Sequence, residues 1–149
     1  MPRTTEVISI RTAAEGDAAD LARLSGELGY PSDAATIARR LTLARTSRAG
    51  EIYVAVDAQS RIVGWTHVAP RLNLEEDPFA ELAGLIVADA VRGLGVGALL
   101  LRAAEDWARG QCYSKLRVRS NVVRERAHRF YRREGCVERK RQVVFDKPL

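Results

Sequence analysis

The stretch from Phe79 to Gly110, FAELAGLIVADAVRGLGVGALLLRAAEDWARG, constrains this chain more than any other. From Glu81 to Val87 the residues are almost all apolar, the pattern of a strand covered on both faces. The turn Arg92-Gly93-Leu94-Gly95-Val96-Gly97 follows, and Ala98 is expected to open a helix. Leu100, Ala103, Ala104, Trp107 and Ala108 recur at helical spacing, and Gly110 stands where a C-terminal cap belongs. A glycine turn feeding a helix N-terminus leaves backbone N–H groups free, with the positive end of the helix dipole behind them. That arrangement is an anion site, usually for phosphate.

The rest of the chain arranges itself around this unit. Val7 to Arg11 alternates and is β-branched, which predicts a first strand. Ala18, Leu21, Leu24 and Leu28 form a helical stripe that starts at Asp17 and stops at Gly29. After Tyr30-Pro31, Ser32 or Asp33 caps a second helix striped by Ile37, Leu41 and Ala44. Glu51 to Val56 and Ile62 to Ala69 read as strands joined by the turn Asp57-Ala58-Gln59-Ser60, with Pro70 ending the second of them. Lys115 to Ser120 reads as a fifth strand and Arg124 to Glu134 as a fourth helix closed by Gly135. Val137 to Arg139 and Gln142 to Asp146 carry strand patterns at the end of the chain. The expected fold is one mixed α/β domain over residues 1–149.

Composition excludes several classes. No apolar run approaches the ~20 residues of a membrane span, and MPRTTEVISI lacks a leader's apolar core, so a cytoplasmic protein with no membrane partner is expected. Cys112 and Cys136 lack zinc or CxxC spacing and read as reduced thiols, and two distant histidines make no metal site. The net charge of +5 suits a phosphate-bearing ligand as well as a solvated basic surface. Nucleic acid as partner is disfavoured, because the arginines from Arg124 to Arg141 need not converge and aromatic stacking platforms are missing.

The glycine turn can be assigned among phosphate loops. It lacks the Gly-Lys-Ser/Thr ending of a triphosphate loop. Gly93, Gly95 and Ala98 fit the dinucleotide fingerprint, but Arg117 to Asn121 offers no acid for a ribose hydroxyl. Arg92, Gly95 and Gly97 fulfil R-x-x-G-x-G, which resembles the pyrophosphate motif of the GCN5-related N-acetyltransferases, the GNAT superfamily. The element order matches that family throughout. The run Ser120 to Tyr131 followed by Gly135 resembles its second signature, with Cys136 where many members carry an aromatic residue.

The resemblance implies a GNAT fold: a mostly antiparallel sheet of six to seven strands, splayed between the fourth and fifth, with about four helices. It also implies acetyl transfer from acetyl-CoA to a primary amine through a ternary complex, with no metal. Backbone N–H groups of Gly93, Leu94, Gly95, Val96, Gly97 and Ala98, with Arg92, would hold the pyrophosphate. Leu85, Ile86 and Val87 would pair with the pantetheine arm, an N–H near Val87 facing the thioester oxygen. Asn121 would hold the same arm or serve as a turn or cap.

Amine attack needs a neutral nitrogen, hence a base. Glu81 is the candidate, since strict alternation over the six positions to Val87 would put both side chains on one face. Its place at the mouth of an apolar strand favours a protonatable carboxyl. Tyr131 is the candidate acid for the departing thiolate, with Ala127 one turn earlier leaving room for cofactor. Around the acceptor stand Glu27, Tyr30, Trp65, His67 and Glu81, with acids Glu75, Glu76 and Asp77 able to draw in a cationic amine. A CoA-binding sensor without efficient catalysis is the alternative, needing the loop but neither Glu81 nor Tyr131. A homodimer is a family-level expectation.

Overall fold

A computed structural model describes residues 7–149. The amino-terminal residues read as leaderless fall mostly outside that range. Backbone contacts divide the chain after Val118 into two compact units. In the first, strands β1 (Ser9–Thr12), β2 (Glu51–Val56), β3 (Ile62–Arg71), β4 (Phe79–Val87) and β5 (Leu116–Val118) form one sheet in sequence order. The pairings are antiparallel up to β4, and β5 joins β4 in parallel.

Helices α1 (Ala18–Glu27) and α2 (Ala34–Thr46) pack on one face of the sheet. Leu21, Leu24 and Leu41 meet Ile52, Val54, Ile62 and Ile86 there. Asp33 caps α2 by accepting the Thr36 N–H at 2.7 Å, which settles the expected choice between Ser32 and Asp33. Helix α3 (Val96–Gly110) covers the other face, packing Val96 and Leu100 against Ala55 and Val63. Asp57 closes the β2–β3 turn by accepting N–H groups of Gln59 and Arg61 and pairing with the Arg61 guanidinium.

Pro70 does not end β3, contrary to expectation: it lies opposite Ala80 and the strand runs on to Arg71. Strand β2 stops at Glu51, opposite Val68, so the proline's missing N–H faces a side with no neighbouring strand to disappoint.

The second unit, Arg119–Leu149, contains helix α4 (Glu125–Arg133). Residues 137–139 and 142–146 are not strands, so among the described residues the sheet has five strands rather than six or seven. Their alternating pattern reports a taste for pleated structure, but a strand also needs an edge to pair with. Val137, Val143, Val144 and Phe145 stand exposed. No helix among the described residues is long and apolar enough to cross a membrane.

Candidate active site

Strand β4 runs through a short 3₁₀ turn, Asp89–Val91, into the glycine loop. Gly93 and Gly95 both have φ of +82°, the left-handed region that L side chains avoid. A Cβ on either would meet nothing within 4 Å, so glycine is required by backbone conformation and the loop's outer side is open. Gly95 is the N-cap of α3, and no side chain caps the helix. The N–H groups of Val96, Gly97 and Ala98 therefore have no intrahelical acceptor, with the dipole of a 15-residue helix behind them. The helix opens two residues earlier than its apolar stripe suggests, so Val96 and Gly97 belong to its first turn. Arg92 precedes the glycines with its guanidinium paired to Asp89 at 2.9 Å.

The outer edge of β4 is the second element of the site. Strand β5 pairs only with Ala80, Glu81 and Leu82, leaving Ala83 to Val87 without a β5 partner. This is the expected splay. Two hydrogen bonds fix which backbone groups face that open edge. Ala80 N–H donates to Lys115 C=O at 3.0 Å, so the even residues at the start of β4 face β5. Ala88 N–H donates to Val63 C=O at 2.8 Å, so at the far end the even residues face β3. The phase has switched between them. The switch is a bulge, seen as a register shift between His67 and Val68 that leaves Ala83 without an opposite residue.

Leu85 and Val87 consequently turn their N–H and C=O groups to the open edge, while Ile86 turns its own toward β3. Ile86 therefore drops out of the expected backbone rail.

The same bulge corrects the expected face of Glu81. Glu81 lies opposite Ala69 and Val87 opposite Gly64, five positions apart on β3, so their side chains point to opposite faces of the sheet. Alternation over six residues fails because one residue is extra. Glu81 shares the α1–α2 face with Trp65, His67 and Ile86, and lies diagonal to His67. Its carboxylate is 14% exposed and 3.9 Å from the Arg71 guanidinium.

Trp65 packs into the α1–α2 cluster with its indole N–H buried and without a hydrogen-bond partner among the described residues. His67 Nε2 lies 2.9 Å from the Ala49 carbonyl, which can only accept, so that nitrogen carries the proton. Tyr30 is half exposed in the α1–α2 connection. These three residues and Glu81 thus come from the α1–α2 side of the fold.

The acids before β4 behave otherwise. Glu76 accepts from Lys115 at 2.6 Å and from both Arg117 nitrogens at 2.8 and 3.0 Å. The Arg117 and then the Lys115 hydrogen bonds hold its carboxyl down at about 2. Both cations also sit over the buried Phe79 ring, 4.1 and 4.9 Å from its centroid. Glu76 is spent on tying its loop to β5, which removes it from the acids able to draw in an amine.

In the second unit, Asn121 Oδ1 accepts the Val123 N–H at 3.2 Å, and its C=O accepts the Arg124 N–H. The turn role is therefore filled. The Asn121 carbonyl also engages His128 Nε2 at 2.9 Å. Tyr131 packs edge-on against Phe130, ring centroids 5.2 Å apart. Burial, with a smaller contribution from Cys136, pushes its phenol up to about 12. No cluster of three or more metal-ligating side chains occurs among the described residues.

Two residues of the site escape sequence reasoning. Thr66 is fully buried on β3 and its hydroxyl donates to the Gly84 carbonyl at 2.8 Å. A Cβ on Gly84 would lie 2.9 Å from the Trp65 ring. A glycine inside an apolar strand is a recognised bulge signal, so Gly84 was legible in principle. Thr66 carried no signal.

The chain and its fold are similar to known proteins. The acetyltransferase (GNAT) family model matches residues 20–135. An aminoglycoside N(6')-acetyltransferase type 1 from Stenotrophomonas maltophilia is 33% identical over 145 residues, covering 95% of this chain and 94% of that protein. Among solved structures, aminoglycoside 6'-N-acetyltransferase AAC(6')-Ih from Acinetobacter baumannii superposes with a TM-score of 0.83 at 18% identity, over 96% of this chain and 99% of that one. Aminoglycoside N-acetyltransferase AAC(6')-Iy in complex with CoA gives a TM-score of 0.86 at 15% identity, over 100% of this chain and 99% of that one. The open β4 edge, the glycine-started α3 and a family match across most of the chain establish it as an acyltransferase of the GNAT family.

Proposed function

We propose that the protein transfers the acetyl group of acetyl-CoA directly to a primary amine of an aminoglycoside-type amino sugar, within a ternary complex. The observation that carries the cofactor half is the junction of open strand edge and uncapped helix. The edge at Leu85 and Val87 offers a β-like partner to an amide-bearing arm, and the α3 N-terminus offers N–H groups to a pyrophosphate. The acceptor half rests on the relative from Stenotrophomonas maltophilia, which aligns over almost the whole of both chains.

In this reading the amine nitrogen attacks the thioester carbon and the outward N–H of Val87 receives the developing oxyanion. The C–S bond then breaks, and the amine's surplus proton passes to Glu81, directly or through water. Glu81 is supported by its place on the face that carries Trp65 and His67, where an acceptor would lie. Tyr131 is assigned to the leaving sulfur on its place in the second signature and on a phenol that stays protonated. Cys112 lies just beyond α3 and Cys136 just after α4, both outside the two signature motifs, which favours direct transfer over an acetyl-cysteine.

The test measures thiol release from acetyl-CoA with aminoglycosides that carry or lack a 6'-amine. Turnover confined to those with the amine is expected, with kcat in Glu81→Gln reduced by ~10²-fold or more. Turnover of simple alkylamines alone would sink the acceptor assignment. A stable acetylated cysteine formed from acetyl-CoA without acceptor would sink direct transfer, and full activity in Glu81→Gln would remove the base.

A further inference from the structure

The bulge in β4 decides which backbone groups reach the open edge, so whatever holds the bulge in place controls the site without touching its ligand. Gly84 is gripped from both faces of the sheet. On one side the tip of the Trp65 ring lies 2.9 Å from where a Cβ would be, so any larger residue there would have to displace the ring. From the other, Thr66 donates its hydroxyl to the Gly84 carbonyl at 2.8 Å, from a position with no solvent exposure. Thr66 is the β3 residue opposite Leu85, the first residue past the bulge whose backbone faces the open edge. A bulge leaves a local gap in ladder bonding, and this side-chain hydroxyl supplies a bond there. The bond adds to the pairing of Gly84 with His67 at the point where the strand changes phase, so its loss loosens the peptide that aims the N–H groups of Leu85 and Val87.

We propose that Thr66 is a positioning residue for acetyl transfer: its hydroxyl locks the bulge at Gly84, so that Leu85 and Val87 rather than Ile86 present their backbone to the pantetheine arm. The inference rests on reading the open β4 edge as the acetyl-CoA site. It goes beyond that reading by naming a residue, remote from the ligand, whose loss affects one half of the cofactor only. The glycine loop is built from a different segment and does not depend on Thr66.

The test compares wild type, Thr66→Val and Thr66→Ser for binding of CoA and of 3'-phosphoadenosine 5'-diphosphate, the cofactor fragment without pantetheine. Valine keeps the shape and loses the donor; serine keeps the donor. Thr66→Val is expected to bind CoA about tenfold more weakly while holding the fragment as wild type does. Its kcat should fall ~10–100-fold with an unchanged KM for the amine, and Thr66→Ser should restore both. Equal weakening of CoA and fragment, or no weakening of either, overturns the proposal. If Thr66→Val fails to fold, Thr66→Ser decides alone: it must retain the wild-type preference for CoA over the fragment, and loss of that preference overturns the assignment to the hydroxyl. Failure of wild type to bind either compound sinks the cofactor reading itself, a result distinct from all of these.

Discussion

Tyr131 shows how one side chain's environment limits its chemistry. A phenol held at about 12 by burial is a weaker acid than an alkylthiol near ~8.5. Full transfer of its proton to a departing thiolate would run uphill, so the assigned role is donation of a hydrogen bond that strengthens as charge builds on sulfur. The sign of the pH dependence follows. Because its value is raised, the phenol stays protonated from acid through neutral pH and begins to ionise only as pH approaches 12. Tyr131→Phe should therefore lower kcat by ~10²-fold while leaving the shape of the pH–rate profile below about pH 10 unchanged. Steady-state rates from pH 6 to 10 check this. A basic limb near pH 9 that disappears in Tyr131→Phe would mean the tyrosine titrates far lower and acts as a full proton donor.

At the scale of elements, the junction of β4 and α3 carries the candidate site through backbone geometry, and Gly95 combines a left-handed backbone with the N-cap position of α3. Its φ of +82° lies where a Cβ costs roughly 1–2 kcal/mol, although the space around it is empty. Gly95→Ala should therefore lower the unfolding free energy by about that amount and weaken CoA binding more than tenfold, since the strained residue is the cap of α3. Denaturant titration and CoA calorimetry on the same variant separate the two effects. Stability lost with CoA affinity intact would detach the loop from the cofactor. The elements legible in the sequence were those whose signals are local: the start of α2 at Ser32 or Asp33, the apolar run of β2 and the glycines before α3. The phase of β4 was not, because a bulge is set by what packs on both sides of Gly84, and neither Trp65 nor Thr66 is near it in sequence. The strands read at 137–139 and 142–146 failed for a related reason: pairing belongs to the partner edge as much as to the segment.

At the scale of the molecule, acid stability is governed by carboxylates that are used structurally. Glu76 bridges Lys115 and Arg117, tying the connection before β4 to the start of β5, the two strands whose separation makes the site. Its carboxyl titrates at about 2 in the folded chain against an ordinary 4.5. Between those values the unfolded chain binds the proton more readily, so acid favours unfolding there. The contribution of Glu76 is complete above ~4.5 and is lost progressively as pH falls toward 2. Asp17, held low chiefly by the Arg11 hydrogen bond, and Asp57, held low chiefly by the Arg61 backbone N–H, act in the same direction. Wild type will therefore lose stability in acid for several reasons at once, while its net charge of +5 rises further. The share that belongs to Glu76 appears only as a difference. Glu76→Gln should melt below wild type at pH 7, and the gap should narrow as pH falls from about 4.5 to 2, where about half of the wild-type carboxyls are themselves neutral. Thermal melts of both proteins across that range measure the gap directly. A gap that stays constant down to pH 2 would show that the pairing with Lys115 and Arg117 contributes nothing through its charge.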